Sequence, residues 1–147
     1  MALRPGTRIF GRFALFVIYA GLIAWLSLVS HPPRVNIKWL SWDKVQHAGA
    51  YFLLTFFAGR AFLALILSRQ KAWLAALAFS IIFGSLMEVA QASLSRVRRA
   101  DGYDILANIC GAVAIYFLAS LIPWLSGRPV HLENPPPATG NGPADVS

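Results

Sequence analysis

A chain of 147 residues holds one domain at most, and this one is 57% hydrophobic, 13% charged and has a mean hydropathy of +0.59. Soluble domains carry about a quarter charged residues, and so short a chain cannot bury this much apolar surface in one aqueous core; lipid must solvate it. The net charge of +7 does not point to nucleic acid, because the basic residues stand in short clusters at the ends of apolar runs, where they act as topology signals.

A helix crossing the hydrocarbon core, about 30 Å thick, needs about 20 apolar residues at 1.5 Å each. Four stretches qualify: Phe13 to Ser30, Asp43 to Leu67, Ala72 to Leu94 and Tyr103 to Leu125. The expected fold is therefore an all-α integral membrane protein, a four-helix transmembrane bundle. Residues 1–12 form a basic N-terminal segment, 13–126 the membrane domain, and 127–147 a Pro/Gly-rich tail without enough apolar content to fold. The first run follows Arg4, Arg8 and Arg12 and lacks a small-x-small cleavage site, so it reads as an uncleaved signal anchor. Ser68-Arg69-Gln70-Lys71 reads as the tight turn between the second and third helices.

Trp39, Trp42, Trp73 and Trp124 lie near helix ends, where interfacial anchors are expected, while Trp25 sits deeper. Cys110 lies inside an apolar run and, as the only cysteine, forms no intramolecular disulfide; it reads as a small packing residue. Gly84 and the Ala107–Gly111 pair have the small side chains that let helices approach closely.

Lysine and arginine counts leave orientation balanced. Arg4, Arg8, Arg12, Arg69, Lys71 and Arg128 fall on one side, and Arg34, Lys38, Lys44, Arg96, Arg98 and Arg99 on the other. Arg60 lies nearer the first group and tilts the count, and the first helix has its basic flank at the N-terminus. The expectation is a cytoplasmic N-terminus in the inner, cytoplasmic membrane, with several passes.

The polar residues in and beside the spans share one face. Asp43, Lys44 and His47 open the second helix, Glu88 and Gln91 close the third, and Asp104 and Asn108 open the fourth. Arg96, Arg98, Arg99 and Asp101 fill the connecting loop. Spacings of three and four place Gly84, Glu88, Gln91 and Ser95 on one stripe, Asp104, Asn108 and Gly111 on another, and Asp43, His47 and Tyr51 on a third. Asp43 and Asp104 also suit a helix first turn, and the arginines suit a helix C-terminus. Glu88, His47, Gln91 and Asn108 are too deep for capping, and a carboxylate at membrane depth needs polar partners.

The order Asp43-Lys44-x-x-His47, Glu88-x-x-Gln91, Arg98 with Asp104 six residues on, and Asn108-x-x-Gly111 resembles the VanZ-like family, over about Ser41 to Phe117. That family is named for an accessory protein of glycopeptide resistance associated with teicoplanin. Val97-Arg98-Arg99 stands where relatives often have a glycine before the arginine, so Arg98 and Arg99 are both candidates for the family arginine. The resemblance implies a small cell-envelope membrane protein and carries no settled activity.

On this basis the expected site is a polar pocket of Asp43, Lys44, His47, Glu88, Gln91, Arg98, Arg99, Asp104 and Asn108. It would engage a membrane lipid, an anionic head group or a peptidoglycan precursor, since guanidinium forks match phosphate and carboxylate. No serine motif, phosphate loop or histidine pair marks a cofactor or metal, and none is expected. Two other readings use the same residues. In one, His47 is a general base in a transferase or hydrolase of a lipid-linked group. In the other, the cluster is a non-catalytic knot that fixes helix register.

Overall fold

The computed structural model describes residues 5–29, 43–94, 102–122 and 125. They form four helices: α1 (Pro5–Leu28), α2 (Asp43–Phe62), α3 (Arg69–Leu94) and α4 (Gly102–Leu121). Three of them, α1, α3 and α4, are long and apolar enough to cross a membrane. At 1.5 Å per residue the 26 residues of α3 extend about 39 Å, and the 20 of α2 about 30 Å.

The helices run up and down in alternation. Along α1 and α2, Phe16 stacks edge-on to Phe62, Tyr19 meets Phe57, and the Tyr19 hydroxyl donates to the Ala50 carbonyl at 3.3 Å. One number rises as the other falls, so the pair is antiparallel. Between α2 and α3 the same holds, Gly59 facing Trp73 and Tyr51 facing Gly84. α2 and α4 run parallel, with His47 beside Asn108 and Ala48 against Gly111.

α2 packs against all three other helices. Its faces meet protein, so it can carry Asp43, Lys44, His47, Thr55 and Arg60, which explains why it lacks the hydropathy of the other three. The apolar surplus lies outside: Leu15, Val17, Ile18 and Trp25 on α1, Ile82, Leu86 and Val89 on α3, and Leu106 and Phe117 on α4 are all exposed.

Small residues set the spacing. A Cβ on Gly59 would come within 2.7 Å of the Trp73 ring, one on Gly84 within 2.8 Å of Tyr51, and one on Gly111 within 2.7 Å of the Ala48 carbonyl carbon. The Gly84 and Gly111 contacts sit where the sequence puts small residues; Gly59 has no such signature.

Several sequence expectations shift. α1 begins at Pro5 rather than near Phe13, since proline suits a first helical turn, and Arg8 and Arg12 therefore lie on the helix. α2 stops at Phe62 rather than near Leu67, and the chain turns through 63–68. The Ser68 hydroxyl accepts from the Lys71 amide at 3.4 Å, so Arg69, Gln70 and Lys71 form the first turn of α3 and not a loop. Trp73 is buried against Gly59, Ile115 and Ala119 instead of anchoring at an interface, because the glycine opposite leaves room for the indole. Cys110 is exposed on α4 rather than packed inside, while its neighbours Gly111 and Ala112 face the core. Trp39, Trp42, Trp124 and the proline-rich tail lie outside the described residues.

Ser80 is fully buried and its hydroxyl has no hydrogen-bond partner. Ser80→Ala removes an unsatisfied group at almost constant volume, so thermal unfolding of the variant should match or exceed wild type, by about 1 kcal/mol at most. A clear loss of stability would mean the hydroxyl makes a bond that this packing does not contain.

Candidate functional site

The antiparallel register brings the start of α2, the end of α3 and the start of α4 to one end of the bundle. Asp43, Lys44 and His47 come from α2, Glu88 and Gln91 from α3, and Asp104 and Asn108 from α4. Arg98 and Arg99 lie outside the described residues.

His47 stands at the centre. Its Nδ1 donates to Asn108 Oδ1 at 3.0 Å, which fixes the ring plane and turns Nε2 toward two carboxylates. Asp43 Oδ1 lies 3.8 Å and Asp104 Oδ2 3.7 Å from Nε2. Below the ring, Glu88 Oε1 lies 3.8 Å from Nδ1. Lys44 holds Asp104 in a hydrogen-bonded ion pair and lies 3.9 Å from Asp43. The ammonium and the imidazole thus approach different oxygens of each of the two carboxylates.

Exposure falls steeply with depth. The Asp43 side chain is 64% exposed, that of His47 20%, that of Asp104 11% and that of Glu88 2%. Gln91, one turn nearer the end of α3, is buried as well. Two atoms at the bottom are buried without a partner, Glu88 Oε2 and Asn108 Nδ2. A buried polar atom left unpaired costs about 1–3 kcal/mol, more when charged, so the floor of this cluster retains unused hydrogen-bonding capacity.

Tyr51 completes the floor. It is buried one turn below His47 and packs on Gly84. The four-residue spacing from Asp43 and His47 was the signal for it, but a tyrosine in an apolar run reads first as packing.

Chemically, three things are within reach. With Nδ1–H donating to Asn108, neutral His47 keeps Nε2 as its basic nitrogen and can take up a proton there. Asp43, His47 and Asp104 each offer one ligand atom, all within 4.8 Å of one another, a donor set of the kind divalent cations use. The spacing Asp43-x-x-x-His47 alone could not announce it, because the third donor comes from α4. An imidazolium at His47, finally, would balance the carboxylates as a closed polar knot.

No family model, no curated protein and no solved structure matches the chain.

Proposed function

We propose that the chain is a multi-pass protein of the cytoplasmic membrane, with all four helices spanning, whose polar cluster opens at the outer face and engages a lipid head group or cell-wall precursor. The observation that carries this reading is Glu88, 2% exposed with Oε2 unpartnered, at the bottom of a polar path that begins at exposed Asp43. A closed knot has no use for spare capacity at its floor; a site does.

Spanning by α2 is supported by its shelter among three apolar helices. The loop cations of the whole sequence divide evenly, so the orientation rests on the first helix, whose basic flank, Arg8 and Arg12, lies at the same end as Arg60, Arg69 and Lys71. Replacing Cys110 by alanine and then placing a cysteine at Ala100 or Gln70 tests this in intact cells. Labelling by an impermeant thiol reagent at position 100 alone is expected; labelling at position 70 alone would reverse the orientation.

In this reading Arg98 or Arg99 supplies the guanidinium fork for phosphate or carboxylate. The VanZ-like resemblance supports a role in glycopeptide susceptibility. Arg98→Lys and Arg99→Lys keep charge and lose the fork, so one of the two should lose most of the effect on teicoplanin susceptibility at unchanged protein level. Full effect in both variants would contradict bidentate recognition.

A second reading, a membrane enzyme transferring or hydrolysing a lipid-linked group, is favoured by the hydrogen bond from Nδ1 to Asn108, which orients the His47 ring and leaves Nε2 as its basic nitrogen. His47→Gln separates the two. In a binding site the wild type shows no turnover and the variant captures ligand more weakly, whereas with a general base the wild type turns substrate over and the variant loses turnover while it keeps binding.

A further inference from the structure

The opposite end of the bundle carries a second polar feature, separate from the cluster around His47. Arg12 of α1 and Arg60 of α2 line a cleft of about 330 Å³ together with Leu15, Phe56, Phe57 and Leu125. Arg12 Nη1 is buried there without a hydrogen-bond partner, and Arg60 Nη1 donates only to the Leu125 carbonyl at 3.3 Å. Both guanidinium side chains line this one cleft. All described carboxylates, Asp43, Glu88 and Asp104, lie at the other end of the bundle. Arg69, another cation at this end, donates to the Ala119 and Ser120 carbonyls at the end of α4.

Two cations with spare donors, facing one cleft without a carboxylate, call for an anion. The walls say what kind. Leu15, Phe56 and Phe57 are apolar, and Phe57 is held by ring contacts with Tyr19 and Phe56, so the cleft offers a hydrocarbon lining beside a cationic head. Arg12 lies about 10 Å beyond the first residue of α1 and Arg60 about 3 Å short of the last residue of α2, the depth range of head groups and the first acyl carbons.

We propose that the Arg12–Arg60 cleft binds the phosphodiester of an anionic phospholipid from the leaflet on that face, the guanidiniums forking the phosphate oxygens while Leu15, Phe56 and Phe57 pack on the adjoining chains. Basic pockets between membrane helices take anionic head groups by this combination of charge and depth. The site fixes α1 to α2 through a lipid that neither helix supplies.

The test uses the full chain purified in neutral detergent, with phosphatidylglycerol, phosphatidylcholine and inorganic phosphate as probes. Native mass spectrometry should find phosphatidylglycerol retained over phosphatidylcholine, and phosphatidylglycerol should raise the thermal unfolding temperature. Arg12→Gln/Arg60→Gln should lose roughly tenfold or more of that retention, the scale of charge-assisted hydrogen bonds. Arg69→Gln, which removes a charge from the same face, should keep it. If the double variant does not fold, Arg12→Lys/Arg60→Lys serves in its place, with charge kept, the fork lost and retention weakened. Undiminished retention in whichever folded double variant is measured would overturn the proposal. So would equal stabilisation by inorganic phosphate, which would make the cleft a free-anion site, and so would equal retention of phosphatidylcholine.

Discussion

Gly111→Ala should destabilise the bundle by about 1–3 kcal/mol, the cost of forcing a methyl into a full interface. The new Cβ would fall on the Ala48 carbonyl, within 2.7 Å of its carbon and 2.9 Å of its Cα. Those are backbone atoms of a helix and cannot rotate away, so α2 and α4 must part. Parting them stretches the hydrogen bond between His47 and Asn108, now 3.0 Å, and the ion pair between Lys44 and Asp104. The variant should therefore lose both thermal stability and the function of the site. Gly49→Ala is the control: nothing lies within 4 Å of its added methyl, and alanine favours the helix by up to about 1 kcal/mol. Equal unfolding temperatures for Gly111→Ala and wild type in detergent would mean that α2 and α4 do not meet at this contact.

Lys44→Met should cost about 3 kcal/mol, near the lower end for removing one partner of a buried pair because the lysine side chain is 28% exposed. Without the ammonium, Asp104 loses its hydrogen-bonded partner, and Asp43, Asp104 and Glu88 are left around one imidazole. Lys44→Met/Asp104→Asn removes both charges, and most of the loss should return, because what costs is the orphaned carboxylate and not the missing attraction. A thermodynamic cycle over the two singles and the double checks this. Losses that simply add would show that the two groups act independently.

The sequence carried the bundle well and its details unevenly. Four helices in alternation follow from apolar run length, and the stripes of Glu88 with Gln91 and of Asp104 with Asn108 follow from helical period, because both are properties of one segment at a time. What depends on a second helix was hidden. Trp73 looks like an interfacial anchor until Gly59 is known to face it. Asp104 becomes a third donor beside Asp43 and His47 only when α4 lies parallel to α2. Arg12 and Arg60 read separately as topology signal and snorkelling cation, and nothing in their spacing says that they share a cleft. Arg98 and Arg99 stay sequence expectations, since they lie outside the described residues.

The central claim is that the cluster around His47 works as a site and is more than a knot, and Glu88→Gln tests it most directly. The change keeps shape and hydrogen-bonding capacity and removes one charge from a side chain that is 2% exposed. Teicoplanin susceptibility should be measured in cells making wild type or variant at equal folded-protein level, with thermal unfolding of the purified chains alongside. The account expects an unfolding temperature near wild type together with loss of the susceptibility effect. A folded Glu88→Gln protein that retains the full effect would contradict it.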